Sequence, residues 1–133
     1  MANTLPAPLS RLRTTALVII VSVLIQLGLG IAMLSGSWSL ADAHGGFGYL
    51  TFLASLVAAV FAFQASKADP TAKGLLFHTL SLPVLALVQI GMVEAGGGSE
   101  VIKWVHVVLG LAFIGAVVSL FSLLNKRTGA SRI

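Results

Sequence analysis

The chain has 133 residues, of which 57% are hydrophobic and 9% charged, with a formal net charge of +4 and no cysteine. A water-soluble domain has about a quarter of its residues charged, so this composition points to one domain embedded in a bilayer. The absence of cysteine excludes disulfides, iron–sulfur clusters, thiolate zinc sites and covalently attached c-type haem. The positive charge is not a nucleic-acid signal, because its placement along the chain follows membrane orientation.

An apolar run of about 20 residues crosses the ~30 Å hydrocarbon layer as a helix, and the sequence has room for four. Residues 1–13 form a short polar lead with Pro6 and Pro8, expected to lie at the interface. The first helix is expected over about 14–34. It is too long for a signal-peptide core and ends on no clear small-x-small cleavage site, so it reads as retained. Residues 35–39 form a loop with Trp38 at headgroup level. The second helix is expected from 39 or 40 to about 65, capped by Ser39 or Asp42. The Asp69-Pro70 step breaks the chain. The third helix follows over about 72–93, with Pro83 expected to kink it. A Gly-rich loop over 94–99 leads to the fourth helix, about 100–125, and a basic tail, 126–133, ends the chain.

Seven of the eight basic residues (Arg11, Arg13, Lys67, Lys73, Lys126, Arg127 and Arg132) fall on one side of this four-pass topology, and Lys103 on the other. The positive-inside rule then makes both termini and the 65–73 turn cytoplasmic. The expected location is the cell membrane, specifically a bacterial plasma membrane.

The two halves resemble each other. Ile25-Gln26-Leu27-Gly28 matches Val88-Gln89-Ile90-Gly91 at an offset of 63, and His44 and Gly48 match His106 and Gly110 at an offset of 62. A tandem two-helix repeat (about 14–65 and 72–125) gives both copies one topology, related by an axis along the membrane normal. The expected fold is therefore all-α and integral to the membrane: an up-down bundle of four transmembrane helices.

This repeat carries the chemistry. The second and fourth helices run in one direction, so His44 and His106 sit at equivalent depth near the external face, roughly 8 Å inside their helix starts. Short loops place these helices on a diagonal, roughly 12–14 Å across at interaxial spacings of about 8–10 Å. Two inward imidazoles across that gap leave room for one metal, and a porphyrin iron with two axial ligands fits: one non-covalent haem b per chain. Gly48 and Gly110, one turn beyond each histidine, open space for a flat ring, and Gly28 and Gly91 are candidates for the same task on the other diagonal. Gln26 and Gln89 are placed to donate to propionates or to fix the second ring nitrogen of a ligand. Taken singly, the glycines also read as close helix contacts and each histidine as a solvated interface residue. The symmetric pairing is what favours ligation.

His78 lies near the cytoplasmic face of the third helix, with Thr15 as its counterpart and no partner histidine. It reads either as a quinone or proton-transfer group or as a neutral histidine bonded to a backbone carbonyl. Asp42, Glu94 and Glu100 are external and Asp69 lies in the cytoplasmic turn, so no mid-membrane carboxylate supports a proton-coupled exporter. There is no Ser/His/Asp grouping and no phosphate-binding loop.

Leu87-Val88-Gln89-Ile90-Gly91, the Gly-rich loop and Trp104-Val105-His106, with the 62-residue histidine spacing, resemble one half of the haem A synthase family over about residues 14–125. That family has eight helices in two four-helix bundles, each with a haem site between histidines of its second and fourth helices. The resemblance implies that His44 and His106 are axial ligands of a b-type haem. The family's catalytic half has a glutamate three residues before the histidine of its second helix, where this chain has Ala41. The external cysteine pair and the second bundle are also missing, so haem A synthesis is not expected. The chain is also similar to small four-helix bacterial membrane proteins with paired histidines. The reading is one-electron transfer with a quinone or a partner redox protein near the external face. Its alternatives are a non-redox accessory subunit of a respiratory complex, or haem sensing or delivery. A homo-oligomer is compatible with each.

Overall fold

The computed structural model describes residues 5–96 and 98–130, the last three by backbone only. Residues 1–4 of the lead, Gly97 of the Gly-rich loop and residues 131–133 of the tail, Arg132 among them, lie outside the described residues. Four helices make up the fold: α1 (Ala7–Leu34), α2 (Ala41–Ala68), α3 (Lys73–Gly96) and α4 (Glu100–Ala130), with single 3-10 turns at Trp38–Leu40 and Pro70–Ala72. All four are long and apolar enough to cross a membrane. The 28 residues of α1 span about 42 Å at 1.5 Å per residue.

Three boundaries differ from expectation, each for a local reason. The lead is not separate from the first helix, because α1 begins at Ala7 behind a Pro6 cap. Pro8 stands in the first turn, where a missing N–H breaks no helical bond. Neither Ser39 nor Asp42 caps α2. The helix follows directly on the 3-10 turn with Leu40 at the cap position and no side-chain cap bond. Asp42 instead lies in the first turn, where its charge complements the helix dipole. The later helices overrun their expected ends by three to five residues.

Apart from Ser22 and Pro83, the buried positions of the four helices follow a seven-residue period. They are Leu9, Leu12, Ala16, Ile19 and Val23 on α1, Thr51, Ser55, Ala58, Ala62 and Ala65 on α2, Leu75, Thr79, Leu82 and Ala86 on α3, and Phe113, Val117, Leu120 and Leu124 on α4. Steps of three and four keep one stripe of each helix facing a left-handed bundle axis. The stripe of α3 matches that of α1 from Leu12 onward at an offset of 63, and the stripe of α4 matches that of α2 from Thr51 to Ala62 at an offset of 62. The stripes differ in bulk. Small residues on α2 let backbones approach closely, while Phe113 and three aliphatic residues on α4 fill the volume opposite. The hydroxyls of Ser55 and Thr79 donate to carbonyls four residues back, at 2.7 and 2.6 Å, so their burial leaves no unpaired donor. Large apolar side chains such as Val21, Leu53, Val84 and Val108 stand outward, toward lipid.

Each helix packs against two neighbours in the order α1–α2–α3–α4–α1, with no close approach across either diagonal among the described residues. The two ends have different chemistry. At one, Arg11 and Arg13 lie over the Phe61 and Phe121 rings, 5.9 and 5.4 Å from their centroids, so their stems cover apolar surface while the charges reach outward. Arg127 at this end donates to the Thr71 carbonyl at 2.8 Å and pairs with Asp69 at 3.5 Å, clasping the α2–α3 turn. The Thr71 hydroxyl, then the Thr71 N–H, and to a lesser degree Arg127 hold the Asp69 carboxyl below its usual range. At the opposite end Trp38 and Trp104 stand exposed, as aromatic residues do at a headgroup boundary.

Candidate cofactor site

The end with Trp38 and Trp104 holds both paired histidines. His44 is the fourth residue of α2 and His106 the seventh of α4. They start from diagonally opposed helices, yet their ring centroids lie 6.0 Å apart with planes inclined at 63°. They border a cavity of about 530 Å³ at this end of the bundle, within the ~300–1,000 Å³ range of small-molecule and cofactor sites. Gln26, Gln89, Gly48 and Gly110 border it as well, so the structure brings together all six residues singled out for the site.

The His44 tautomer follows from its partner. Its Nδ1 lies 3.1 Å from the Gln26 carbonyl, which can only accept, so Nδ1 carries the proton and Nε2 keeps the lone pair. A second nitrogen committed to a carbonyl is the usual arrangement of a metal-ligating histidine. The fixing group is the main chain of Gln26, whereas the side chain had been the expected one. The amide does other work: Oε1 accepts from the Thr51 hydroxyl at 3.2 Å and Nε2 donates to the His44 carbonyl at 3.4 Å. The one Thr51 proton is shared between Oε1 and the nearer Phe47 carbonyl, at 2.8 Å, so Ser22 is the donor in the 2.8 Å hydroxyl–hydroxyl bond with Thr51.

His106 is held differently. The Gln89 backbone reaches its ring, but Nδ1, although buried, completes no hydrogen bond.

The glycines take two roles. A Cβ on Gly48 would stand 3.1 Å from Gln26 Nε2, and one on Gly110 3.6 Å from Gln89 Oε1, so each glycine makes room for the glutamine amide of the preceding helix. Gly28 and Gly91 are exposed, and added Cβ atoms there would meet nothing. They do not open the other diagonal, because they face outward.

Two features of the site were missed in the sequence. Gly30 lies against His44, where its Cβ would sit 3.5 Å from Cε1. It is four residues beyond Gln26 and so on one face with it. Thr51, seven residues beyond His44, likewise shares its face. His78 lies apart from this cavity and donates from Nε2 to the Ala116 carbonyl at 2.8 Å.

The two imidazoles, with centroids 6.0 Å apart at the border of the cavity, are the side chains that would hold a haem iron here. Among the described residues no group of three or more His, Cys, Asp or Glu is arranged to hold a metal ion. Comparisons with protein families, with curated proteins and with solved structures return no match.

Proposed function

We propose that this chain is a membrane b-type haem protein, with His44 and His106 as axial ligands, that exchanges single electrons with a quinone or a partner redox protein at the outer side of a bacterial plasma membrane. The observation that carries the reading is the approach of the two imidazoles to 6.0 Å between centroids beside a cavity at one end of the bundle. When bound, the haem supplies a one-electron couple, and two axial histidines suit electron transfer better than oxygen binding.

The chain's own residues do the rest. Gln26 orients His44 through its carbonyl, and the absent side chain of Gly30 leaves room beside the ring. Lys103, the sole lysine or arginine at this end among the described residues, borders the cavity and is paired with Glu100 at 2.6 Å. Recurrence of the buried stripes at offsets of 63 and 62 supports an origin of the bundle by tandem duplication. Ala41, in the place of the glutamate of the haem A synthase family, speaks against synthase chemistry.

The test is a visible spectrum of protein purified in detergent from haem-replete cells. The expected result is a sharp, dithionite-reducible low-spin b-type spectrum, lost when both His44→Ala and His106→Ala are introduced. Colourless wild-type protein overturns the reading.

A further inference from the structure

The two halves of the site match in their histidines and glutamines but not in what stands behind them. His44 has a completed hydrogen bond on Nδ1 to the Gln26 carbonyl, and the Gln26 amide is in turn held by Thr51, which Ser22 bonds. At offsets of 62 and 63 the positions of Ser22, Thr51 and Gly30 are taken by Leu85, Phe113 and Val93. Among the described residues no hydroxyl relay stands on that side. Phe113 is fully buried, and although the Gln89 backbone reaches the His106 ring, its buried Nδ1 completes no hydrogen bond.

A hydrogen bond to the second ring nitrogen fixes a ligating imidazole and raises its basicity, and its loss typically lowers metal affinity about 10–100-fold. Resting on the haem reading above, we propose that the two ligands are unequal: His44 is the permanent one, and His106 gives way to a small neutral ligand such as carbon monoxide or nitric oxide, entering on the α4 side of the cavity. The exchange breaks one nitrogen–metal bond and forms one bond to the incoming atom through that ligand's own lone pair. No proton or electron moves, and His106 keeps its lone pair and returns when the ligand leaves.

The experiment is carbon monoxide titration of dithionite-reduced wild-type protein, followed in the Soret band, beside His106→Ala, His44→Ala and Thr51→Val. Wild type is expected to pass from a low-spin spectrum to a carbon monoxide adduct. His106→Ala is expected to keep its haem, show a high-spin spectrum when reduced, and bind carbon monoxide at least ~10-fold faster, since no ligand must first depart. His44→Ala is expected to lose most of its haem. Thr51→Val, which leaves both ligands in place, is expected to release haem to an apo-globin acceptor faster than wild type. A low-spin wild-type protein that is inert to carbon monoxide overturns the inequality while leaving the haem reading intact. So does a His44→Ala protein that keeps its haem while His106→Ala loses it. Colourless wild-type protein overturns both.

Discussion

Thr51 donates to the Phe47 carbonyl, bonds the Ser22 hydroxyl and reaches Gln26 Oε1, and it is buried among these partners. Valine keeps the shape of threonine but leaves Ser22 and the Gln26 amide without their shared partner. A buried polar group so orphaned costs about 1–3 kcal/mol. Thr51→Val is therefore expected to lower stability by that amount in a reversible detergent unfolding titration, and Ser22→Ala made on top of it should cost less than Ser22→Ala alone. The glycines make a second comparison possible. Alanine in place of glycine inside a helix gains roughly 0.5–1 kcal/mol from reduced chain entropy. At Gly110 the new methyl meets Gln89 at an ordinary 3.6 Å, whereas at Gly48 it presses on Gln26 at 3.1 Å. Gly110→Ala should raise the unfolding midpoint, and Gly48→Ala should raise it less or lower it, because the Gln26 amide must shift away from the His44 carbonyl.

Among the elements, the α2–α3 turn is held from two directions, by Asp69 on Thr71 and by Arg127 on both. The Asp69 carboxyl titrates below its ordinary value of 3.8 in the folded chain. Its contribution is therefore complete above that value and is lost as pH falls through the lowered folded value. Thermal melts in detergent should show a component that is flat near neutrality and falls below about pH 4, and Asp69→Asn should remove that component. Because Asp69 is solvated, the expected shift is small. The Asp69-Pro70 turn itself was legible in the sequence, as were the four spans, since Pro, Gly and uninterrupted apolar runs act locally. The helix ends were not legible: α1 starts within what read as a polar lead because Pro6 and Pro8 favour a helix start, and Arg11 and Arg13 find aromatic faces on distant helices. The approach of His44 to His106 was readable from their matched placement in the second and fourth helices. The unequal support behind the two was not, because it depends on Ser22 meeting Thr51 across two helices and on Gly30 touching a ring on another element.

At the scale of the whole molecule, the described bases divide unevenly between the two ends. Arg11, Arg13, Lys67, Lys73, Lys126 and Arg127 belong to the end that carries the α2–α3 turn, and Lys103 alone to the end that carries the cavity. Basic residues in short flanking segments resist translocation, and carboxylates contribute little, so Glu94 and Glu100 do not offset Lys103 in this comparison. The basic end is then expected in the cytoplasm, with the cavity open to the outer side. Fusions at either terminus test this: green fluorescent protein should fluoresce at both, and alkaline phosphatase should be inactive at both yet active when inserted at Gly98, in the loop beside the cavity. Phosphatase activity at either terminus, with none at Gly98, would reverse the orientation. It would also move electron exchange to the cytoplasmic side, because the paired histidines are fixed to the Lys103 end whichever way the bundle inserts.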